Sequence, residues 1–213
     1  MAMSVYPVAY TQSPPEQRSR LTVFFRFLLV IPHAVVAFFY GIAAGVAVLV
    51  AWFAIVITGR WPAALYDFVA GFMRFLGRLT AYVYLVVDQY PPFDGGEHPE
   101  YPAQLMIAPP KEQYSRLKTF FRFILAIPVY IVQYVFSLWL FVVAVALWVV
   151  GVITGKTQPA LTEAMRMPMA YYLRAMAYFF LLTEDWPPFD PGPSSGSGSP
   201  SGDRDEQAVA VGA

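Results

Sequence analysis

One long segment occurs twice in this chain, and the duplication restricts the folds that the chain can adopt. The stretch RLTVFFRFLLVIP at Arg20–Pro32 returns as RLKTFFRFILAIP at Arg116–Pro128, 96 residues later, with nine of thirteen positions identical. The same offset of 96 residues continues without a gap to the end of each copy, where YPPFD at Tyr90–Asp94 corresponds to WPPFD at Trp186–Asp190. Shared composition cannot produce so long a match, so the chain is one structural unit in tandem. Features present in both copies are therefore the best guide to what matters.

Two apolar runs, one in each copy, predict that the chain enters a membrane. Phe27–Ile57 and Phe123–Ile153 are each 31 residues long without a formal charge, well beyond the ~18 residues that indicate a membrane segment. Only 13% of the chain is charged, against about 25% in soluble domains. We predict an all-α, multi-pass integral membrane protein of the inner or plasma membrane, built of two tandem helical-hairpin repeats. The expected units are residues 1–95 and 96–190, followed by a disordered Gly/Ser/Pro-rich tail at 191–213.

The charged residues are segregated, although the net charge is zero. Cations gather just before each apolar run, at Arg18, Arg20 and Arg26 in the first copy and at Lys111, Arg116, Lys118 and Arg122 in the second. Such cations lie beside anionic headgroups on the cytoplasmic side, where we expect the N-terminus and the tail. No basic face accompanies the aromatic residues, which argues against nucleic acid as a partner. The chain contains no cysteine, which excludes a disulfide or a thiolate site.

Each copy predicts a long helix, a tight turn and a second helix, which together form a helical hairpin. At 1.5 Å per residue, each apolar run would be about 46 Å long, against a hydrocarbon core of ~30 Å. We therefore expect a break at the matched prolines, Pro32 and Pro128. The turns Thr58–Arg60 and Thr154–Lys156 carry a glycine that ends a helix, followed by a cation. The second helices are expected at about Pro62–Val87 and Pro159–Leu182.

The duplication leaves several membrane topologies open. Because a basic cluster precedes both apolar runs, each unit should begin and end on one side of the membrane. Either both helices cross, which gives four spans, or the apolar run is a hydrophobic hairpin that enters and returns while the second helix lies on the surface. One crossing per unit, which gives inverted repeats, also stays open. Ahead of the apolar runs, YPVAYT and YPAQLMI predict short extended segments at the membrane surface.

Matched acids and arginines near the helix ends form the first set of candidate site residues. If the second helix runs antiparallel to the first, Asp88 returns near Arg26, and the second copy repeats this arrangement. The favoured interpretation is an ion pair that closes each hairpin, and the alternative is a site for a lipid headgroup or an ion. The candidate headgroup or ion-pair positions are Arg20, Arg26, Arg116, Arg122, Asp88 and Glu184.

Charged residues along the second helix form the other candidate set. Asp67, Arg74 and Arg78 are spaced by seven and four residues, so they share one helical face. In the second copy, Glu163 and Arg174 hold the places of Asp67 and Arg78. Charged residues inside a bilayer are costly and commonly mark a permeation path. This polar strip supports an alternative function, that of a small transporter or channel subunit with the strip facing a pore.

Four motifs in order resemble a known family. They are R-L-x-x-F-F-R-F-x-L-x-I-P, then A-W-F-A-I-V-I-T-G-R-W-P, then D-F-V-x-G-F-x-R-F, then A-Y-x-Y-L-x-x-D-x-Y-P-P-F, and the match covers nearly everything from Tyr6 to Asp190. This order is similar to the domain of unknown function 4389, which occurs mainly in actinobacterial membrane proteins, often as tandem copies. The second copy departs at TQPALTEA, where the first has WPAALYDF. The resemblance implies the architecture and the membrane location and supplies no catalytic residue.

No nucleophile set, carboxylate pair or metal-spaced cluster occurs in both copies. We therefore predict that the protein is not an enzyme and has no catalytic residue, no cofactor and no metal site. His33 has no counterpart in the second copy, so we expect a packed or interfacial histidine. The predicted role is that of a membrane-organising, lipid-interacting or accessory component. Its expected partners are anionic lipid headgroups, with a second copy or another membrane protein as a further partner.

Overall fold

The fold is mostly helical. The computed structural model describes residues 6–13, 20–155 and 158–190, so the predicted tail at 191–213 and Lys156 of the second turn lie outside the described residues. Helices account for 66% of the described residues. The elements in chain order are β1 Val8–Gln12, α1 Arg20–Phe24, α2 Arg26–Thr58, α3 Ala63–Val83, β2 Ala103–Ile107, α4 Arg116–Phe120, α5 Arg122–Thr154, α6 Pro159–Ala164 and α7 Arg166–Phe179.

A two-stranded sheet makes the fold depart from the all-α prediction, and the predicted extended segments form it. β1 and β2 pair antiparallel, with Tyr10 opposite Leu105. Val8, Tyr10 and Gln12 of β1 are buried in alternation, which is the period of two of a strand with one face on a core. Tyr10 and Leu105 hold equivalent places after the Tyr-Pro pair that opens each segment. The pairing is therefore symmetric about these two residues, which relates the two units by a local two-fold axis.

The two long helices run without interruption through Pro32 and Pro128, so the predicted break at the prolines is wrong. The chain leaves helical geometry earlier, at Phe25 (φ −85°, ψ 6°) and Phe121 (φ −87°, ψ 14°). Each proline is then the seventh residue of its helix, where it removes one backbone hydrogen bond without ending the helix. Both apolar runs are therefore continuous helices, which contradicts the alternative in which each run is a hydrophobic hairpin.

The predicted turns are confirmed, whereas the second helices differ between the units. α2 and α5 end at left-handed glycines, Gly59 (φ 76°) and Gly155 (φ 67°), which is how glycine commonly ends a helix. In the first unit α3 is one helix. In the second unit the predicted helix is divided into α6 and α7 at Met165. Pro168 explains the division, because its ring excludes the carbonyl group of Ala164 from the helical hydrogen-bond ladder.

α3 and α7 form the centre of the fold. α3 packs along α2 and α7 packs along α5, which confirms a helical hairpin in each unit. Met73, Phe75 and Leu173 are fully buried there, and the two strands cover another side of α3 and α7. α2 and α5 form an outer apolar layer, with large apolar side chains exposed from Phe27 (73%) to Ile57 (68%) in α2. By length and composition, both outer helices are able to cross a membrane.

The two units exchange their first elements. β2 packs on α3 of the first unit, and β1 packs on α7 of the second. α1 packs against the end of α5, where Val23 faces Gly151. α4 packs against the end of α2, where the indole of Trp52 donates to the Thr119 carbonyl oxygen at 3.0 Å. Because α1 leads directly into α2, each long helix begins beside the end of the other, and each unit is completed by a strand and a short helix of its neighbour.

Candidate functional site

A buried arginine closes the first hairpin, as predicted. Arg26 is 3% exposed. Its Nη1 donates to the carbonyl oxygens of Tyr82 (2.6 Å) and Val87 (2.9 Å), and its Nη2 forms an ion pair with Asp88. The guanidinium also lies 4.2 Å from the centre of the Tyr82 ring. These contacts tie the start of α2 to the segment that follows α3.

The equivalent arginine of the second unit is buried without an acid beside it. Arg122 is 4% exposed, its Nη2 donates to the Thr183 carbonyl oxygen at 2.7 Å, and its guanidinium lies 3.9 Å from the centre of the Tyr178 ring. The predicted pairing of Arg122 with Glu184 is wrong, because Glu184 accepts a hydrogen bond from the Ser115 backbone N–H at 2.5 Å. Glutamate is one methylene longer than aspartate, so it reaches the start of α4, where a helix favours an anion. Among the described residues, no carboxylate oxygen lies within 4 Å of Arg122.

The other two predicted arginines lie on the surface beside the exchanged helix ends. Arg20 donates from Nη2 to the Thr154 carbonyl oxygen at 3.0 Å, at the end of α5. Arg116 lies against Gly59, at the end of α2. Both side chains belong to exposed residues. The four predicted basic positions thus divide into a buried pair, which binds the protein itself, and an exposed pair at opposite ends of the apolar layer.

The first half of the predicted polar strip contacts the start of the connector, residues 95–113, which joins the two copies. Arg74 pairs with Glu97 at 3.1 Å. Arg78 is 4% exposed and donates to the carbonyl oxygens of Gly96 (2.8 Å) and Asp94 (2.5 Å). Burial lowers the pKa of Arg78 from its ordinary value, and the charge of Asp94 opposes this shift. Asp67 is exposed near the start of α3 and has no hydrogen bond or ion pair to any described residue, so the structure does not bring it together with the two arginines.

The second half of the strip repeats only the buried arginine. Arg174 is 2% exposed and donates to the carbonyl oxygens of Val8 (3.2 Å) and Asp190 (2.7 Å). It also pairs with the carboxylate of Asp190. Glu163 pairs instead with Arg166, at 2.9 Å. The charged residues therefore anchor segments of the fold and do not form one continuous strip.

An exposed acid–histidine cluster lies beside Arg78 and was not predicted. Nε2 of His98 is 2.9 Å from Asp94 Oδ1, and Nδ1 is 3.0 Å from Glu100 Oε1. These hydrogen bonds, that to Asp94 foremost, raise the pKa of His98 above 6.5. The hydrogen bond from His98 lowers the pKa of Asp94. The members of the cluster are close together in the sequence, so the pattern D-G-G-E-H-P-E is the sequence feature from which the cluster could have been predicted.

The other histidine is packed, as predicted. His33 is fully buried, with Nε2 2.8 Å from the Pro91 carbonyl oxygen and its ring stacked 3.9 Å from that of Phe93. The YPPFD segment at Tyr90–Asp94 therefore folds back over α2. Within residues 6–13, 20–155 and 158–190, no group of three or more histidine, cysteine or acidic side chains is placed to hold a metal ion.

Two apolar pockets lie between the units, and no sequence pattern marks them. The Arg122 pocket, of about 360 Å³, lies between the second half of α2 and the start of α5, and its lining includes Val48, Leu49, Trp52, Arg122, Phe123 and Ala126. The Arg26 pocket, of about 500 Å³, is lined by the residues 96 positions away, which are Ala144, Val145, Trp148, Arg26, Phe27 and Val30. The pockets are therefore equivalent under the local two-fold axis, and each has one buried arginine in an apolar lining.

Comparison with known proteins gives one match. The family described as Domain of unknown function (DUF4389) matches the chain twice, at residues 20–94 and 116–190. The two matches confirm the tandem copies predicted from the sequence. No curated protein and no solved structure matches the chain.

Proposed function

The chain belongs to the DUF4389 family, and from that premise we propose that it is a non-enzymatic component of the cell membrane that organises lipids or assists a membrane partner. We place it in one leaflet, with α2 and α5 immersed and lying along the membrane. The observation that carries the proposal is the outer layer itself. Phe27–Ile57 and Phe123–Ile153 contain no charged residue, and large apolar side chains are exposed along both. An apolar surface of this extent on a soluble monomer would be exceptional.

The charged connector supports an orientation along the surface. Glu97, which is 77% exposed, pairs with Arg74, the twelfth residue of the 21-residue α3, and Asp94, 61% exposed, lies near Arg78. If α2 and α3 crossed the bilayer together, these carboxylates would lie near its centre, where an acid costs about 2.5–3.5 kcal/mol. The open edges of the sheet would also lack hydrogen-bond partners in hydrocarbon.

The lengths and the ends of the outer helices support the same orientation. Each has 33 residues and so measures about 50 Å, against a hydrocarbon core of ~30 Å. Arg60 and Arg116 lie at the end of α2, whereas Arg20 lies at the opposite end of the layer. A perpendicular crossing would place cations on both faces of the membrane, contrary to the positive-inside rule. In one leaflet, all of these cations reach anionic headgroups.

The alternative of a small transporter or channel subunit has less support. It requires the charged residues of α3 and α7 to face a path. Arg78 and Arg174 instead donate to backbone carbonyl groups, and Asp67 lies apart from them. We therefore place the membrane-organising role first.

Accessibility of single cysteines tests the proposed orientation, because the chain has no cysteine of its own. Arg60→Cys and Gln89→Cys place thiols at exposed positions at the two ends of the first hairpin. Phe39→Cys and its counterpart Val135→Cys place thiols midway along the outer helices, where the native side chains are 65% and 59% exposed. In sealed vesicles, an impermeant maleimide should label both end positions from the same side. The two mid-helix positions should react only after detergent is added.

Two results would refute the orientation. Labelling of Arg60→Cys and Gln89→Cys from opposite sides would show that α2 crosses the membrane. Labelling of the mid-helix positions in sealed vesicles as fast as the end positions would show that the outer layer is not immersed. Labelling of the same variants in detergent controls for the intrinsic reactivity of each thiol.

A further inference from the structure

The Arg122 pocket combines a buried cation with an apolar lining. We propose that it binds a fatty acid, a single-chain lipid whose carboxylate pairs with Arg122 and whose acyl chain lies between α2 and α5. This inference rests on the membrane location proposed above, because the ligand would enter from the bilayer. It identifies a ligand class for a site that no motif in the sequence marks.

The buried charge of Arg122 has no anionic partner among the described residues. The side chain is 4% exposed and makes one hydrogen bond among the described residues, from Nη2 to the Thr183 carbonyl oxygen, while Nε is buried without an acceptor. A buried charge without a counter-ion is strongly unfavourable. The acid that the sequence pattern assigns to this role, Glu184, is engaged at the start of α4. A ligand carboxylate would supply both the missing charge and a charge-assisted hydrogen bond.

The remaining lining suits an acyl chain that enters from the lipid. Val48, Trp52 and Ala126 are apolar wall residues. Leu49 and Phe123 also line the pocket and are 57% and 78% exposed on the outer apolar layer, so the pocket opens on the face that we place in the membrane. A volume of about 360 Å³ is at the lower end of the range for ligand sites, which favours one chain over two.

The Arg26 pocket provides an internal control. It is larger, about 500 Å³, and is lined by residues equivalent to those of the Arg122 pocket. Its arginine is already neutralised by Asp88 and holds two backbone carbonyl groups. An anionic headgroup would therefore gain little binding energy in the Arg26 pocket, although the walls of that pocket are as apolar as those of the Arg122 pocket. The proposal thus predicts a preference for anionic ligands at one pocket and not at the other.

Photocrosslinking of the full chain in nanodiscs of zwitterionic phospholipid tests this difference. A fatty acid with a diazirine in its chain should give adducts on α2 at residues 48–52 and on α5 at residues 123–126, mapped by mass spectrometry. Oleate should compete for these adducts, whereas methyl oleate, which lacks the charge, should not. Arg122→Gln should weaken the competition by oleate roughly ten- to a hundredfold, the range expected for a charge-assisted hydrogen bond.

A second variant tests the pocket without altering its charge. Ala126→Phe fills the Arg122 pocket and should abolish the adducts, whereas the matched change Val30→Phe, in the Arg26 pocket, should leave them intact. Equal competition by oleate and methyl oleate would overturn the proposal, as would adducts that survive Ala126→Phe. A diazirine phospholipid in the same nanodiscs keeps the two proposals separate. If the diazirine phospholipid labels the regions around Phe39 and Val135 but the diazirine fatty acid gives no pocket adducts, the fatty-acid site alone is refuted. If neither probe labels either region, the membrane location is refuted.

Discussion

Asp88→Asn should destabilise the protein strongly, because it leaves the Arg26 charge buried without its counter-ion. Removing one partner of a buried ion pair costs about 3–5 kcal/mol. Two features of this site reduce that figure: the Asp88 side chain is 22% exposed, and Arg26 keeps its hydrogen bonds to the Tyr82 and Val87 carbonyl groups. We therefore expect the free energy of unfolding to fall by about 2–3 kcal/mol.

The matched change in the second unit is Glu184→Gln. Its amide oxygen still accepts from the Ser115 N–H, and no described contact joins Glu184 to Arg122. The expected loss is that of a charge at a helix start, about 0.3–1 kcal/mol. The two variants thus make the same chemical change, from an acid to its amide, at equivalent positions. The structure predicts unequal results for them.

Thermal unfolding in detergent micelles, followed by near-ultraviolet circular dichroism, measures the difference. At roughly 2–4 °C per kcal/mol for a chain of this size, the apparent Tm should fall by about 4–12 °C in Asp88→Asn and by less than about 4 °C in Glu184→Gln. Equal shifts in the two variants would refute the reasoning, because they would mean that both acids, or neither, neutralise a buried arginine. An unchanged Tm in Asp88→Asn would show that the ion pair with Arg26 does not contribute to stability.

Two further predictions concern the connector between the units. A Cβ at Gly95 would lie 2.7 Å from the carbonyl carbon of Gly71, so Gly95→Ala should lower the free energy of unfolding in urea by about 1–3 kcal/mol. Gly45→Ala is the control, because a Cβ there has nothing within 4 Å, and it should be neutral or slightly stabilising. Similar losses of stability in both variants would contradict the close contact at Gly95. Hydrogen bonds to Asp94 and then Glu100 raise the pKa of His98, so the stabilisation from its protonation, while the two acids stay ionised, should be complete below about pH 6.5 and disappear as the pH rises through the higher folded value. Proton NMR, with His98→Gln for assignment, should give a His98 midpoint above 6.5, and a midpoint at or below that value would show that the hydrogen bonds do not persist in solution.

The hairpin architecture was predictable because its determinants are local. A glycine followed by a cation ends each long helix, and an uncharged run precedes it, so the turn at Gly59 and its counterpart at Gly155 follow from short segments. The division between α6 and α7 was also readable, since Pro168 lies inside the predicted helix. The break before the long helices was misplaced because a proline near a helix start is tolerated. The actual break is at Phe25, and phenylalanine is not a residue type that predicts a helix break.

The exchange of elements between the units and the hydrogen bond that Glu184 accepts were not predictable from the sequence, for a different reason. Strand pairing between β1 and β2 joins segments far apart in the chain, and five residues of alternating burial give a weak local pattern. Glu184 and Asp88 occupy equivalent positions, so the duplication argued for equivalent contacts. The contacts diverged because one extra methylene reaches a different donor, the Ser115 N–H. The absence of a carboxylate beside Arg122 follows from that divergence, and a comparison of the copies by residue type does not show it.

Because each half packs a strand and a short helix on the other half, the chain is arranged like a two-fold symmetric dimer within one polypeptide. Cut at the connector, either half would keep its hairpin but lose the strand that covers its own second helix and the short helix that covers the end of its own long helix. A lone copy would therefore have to find a second copy to complete itself. Joining holds the halves at an effective concentration in the millimolar range, typical of short linkers, and removes the need for them to stay identical. Asp88 and Glu184 illustrate such a difference: Asp88 pairs with Arg26, whereas Glu184 accepts from the Ser115 N–H and Arg122 has no carboxylate partner among the described residues.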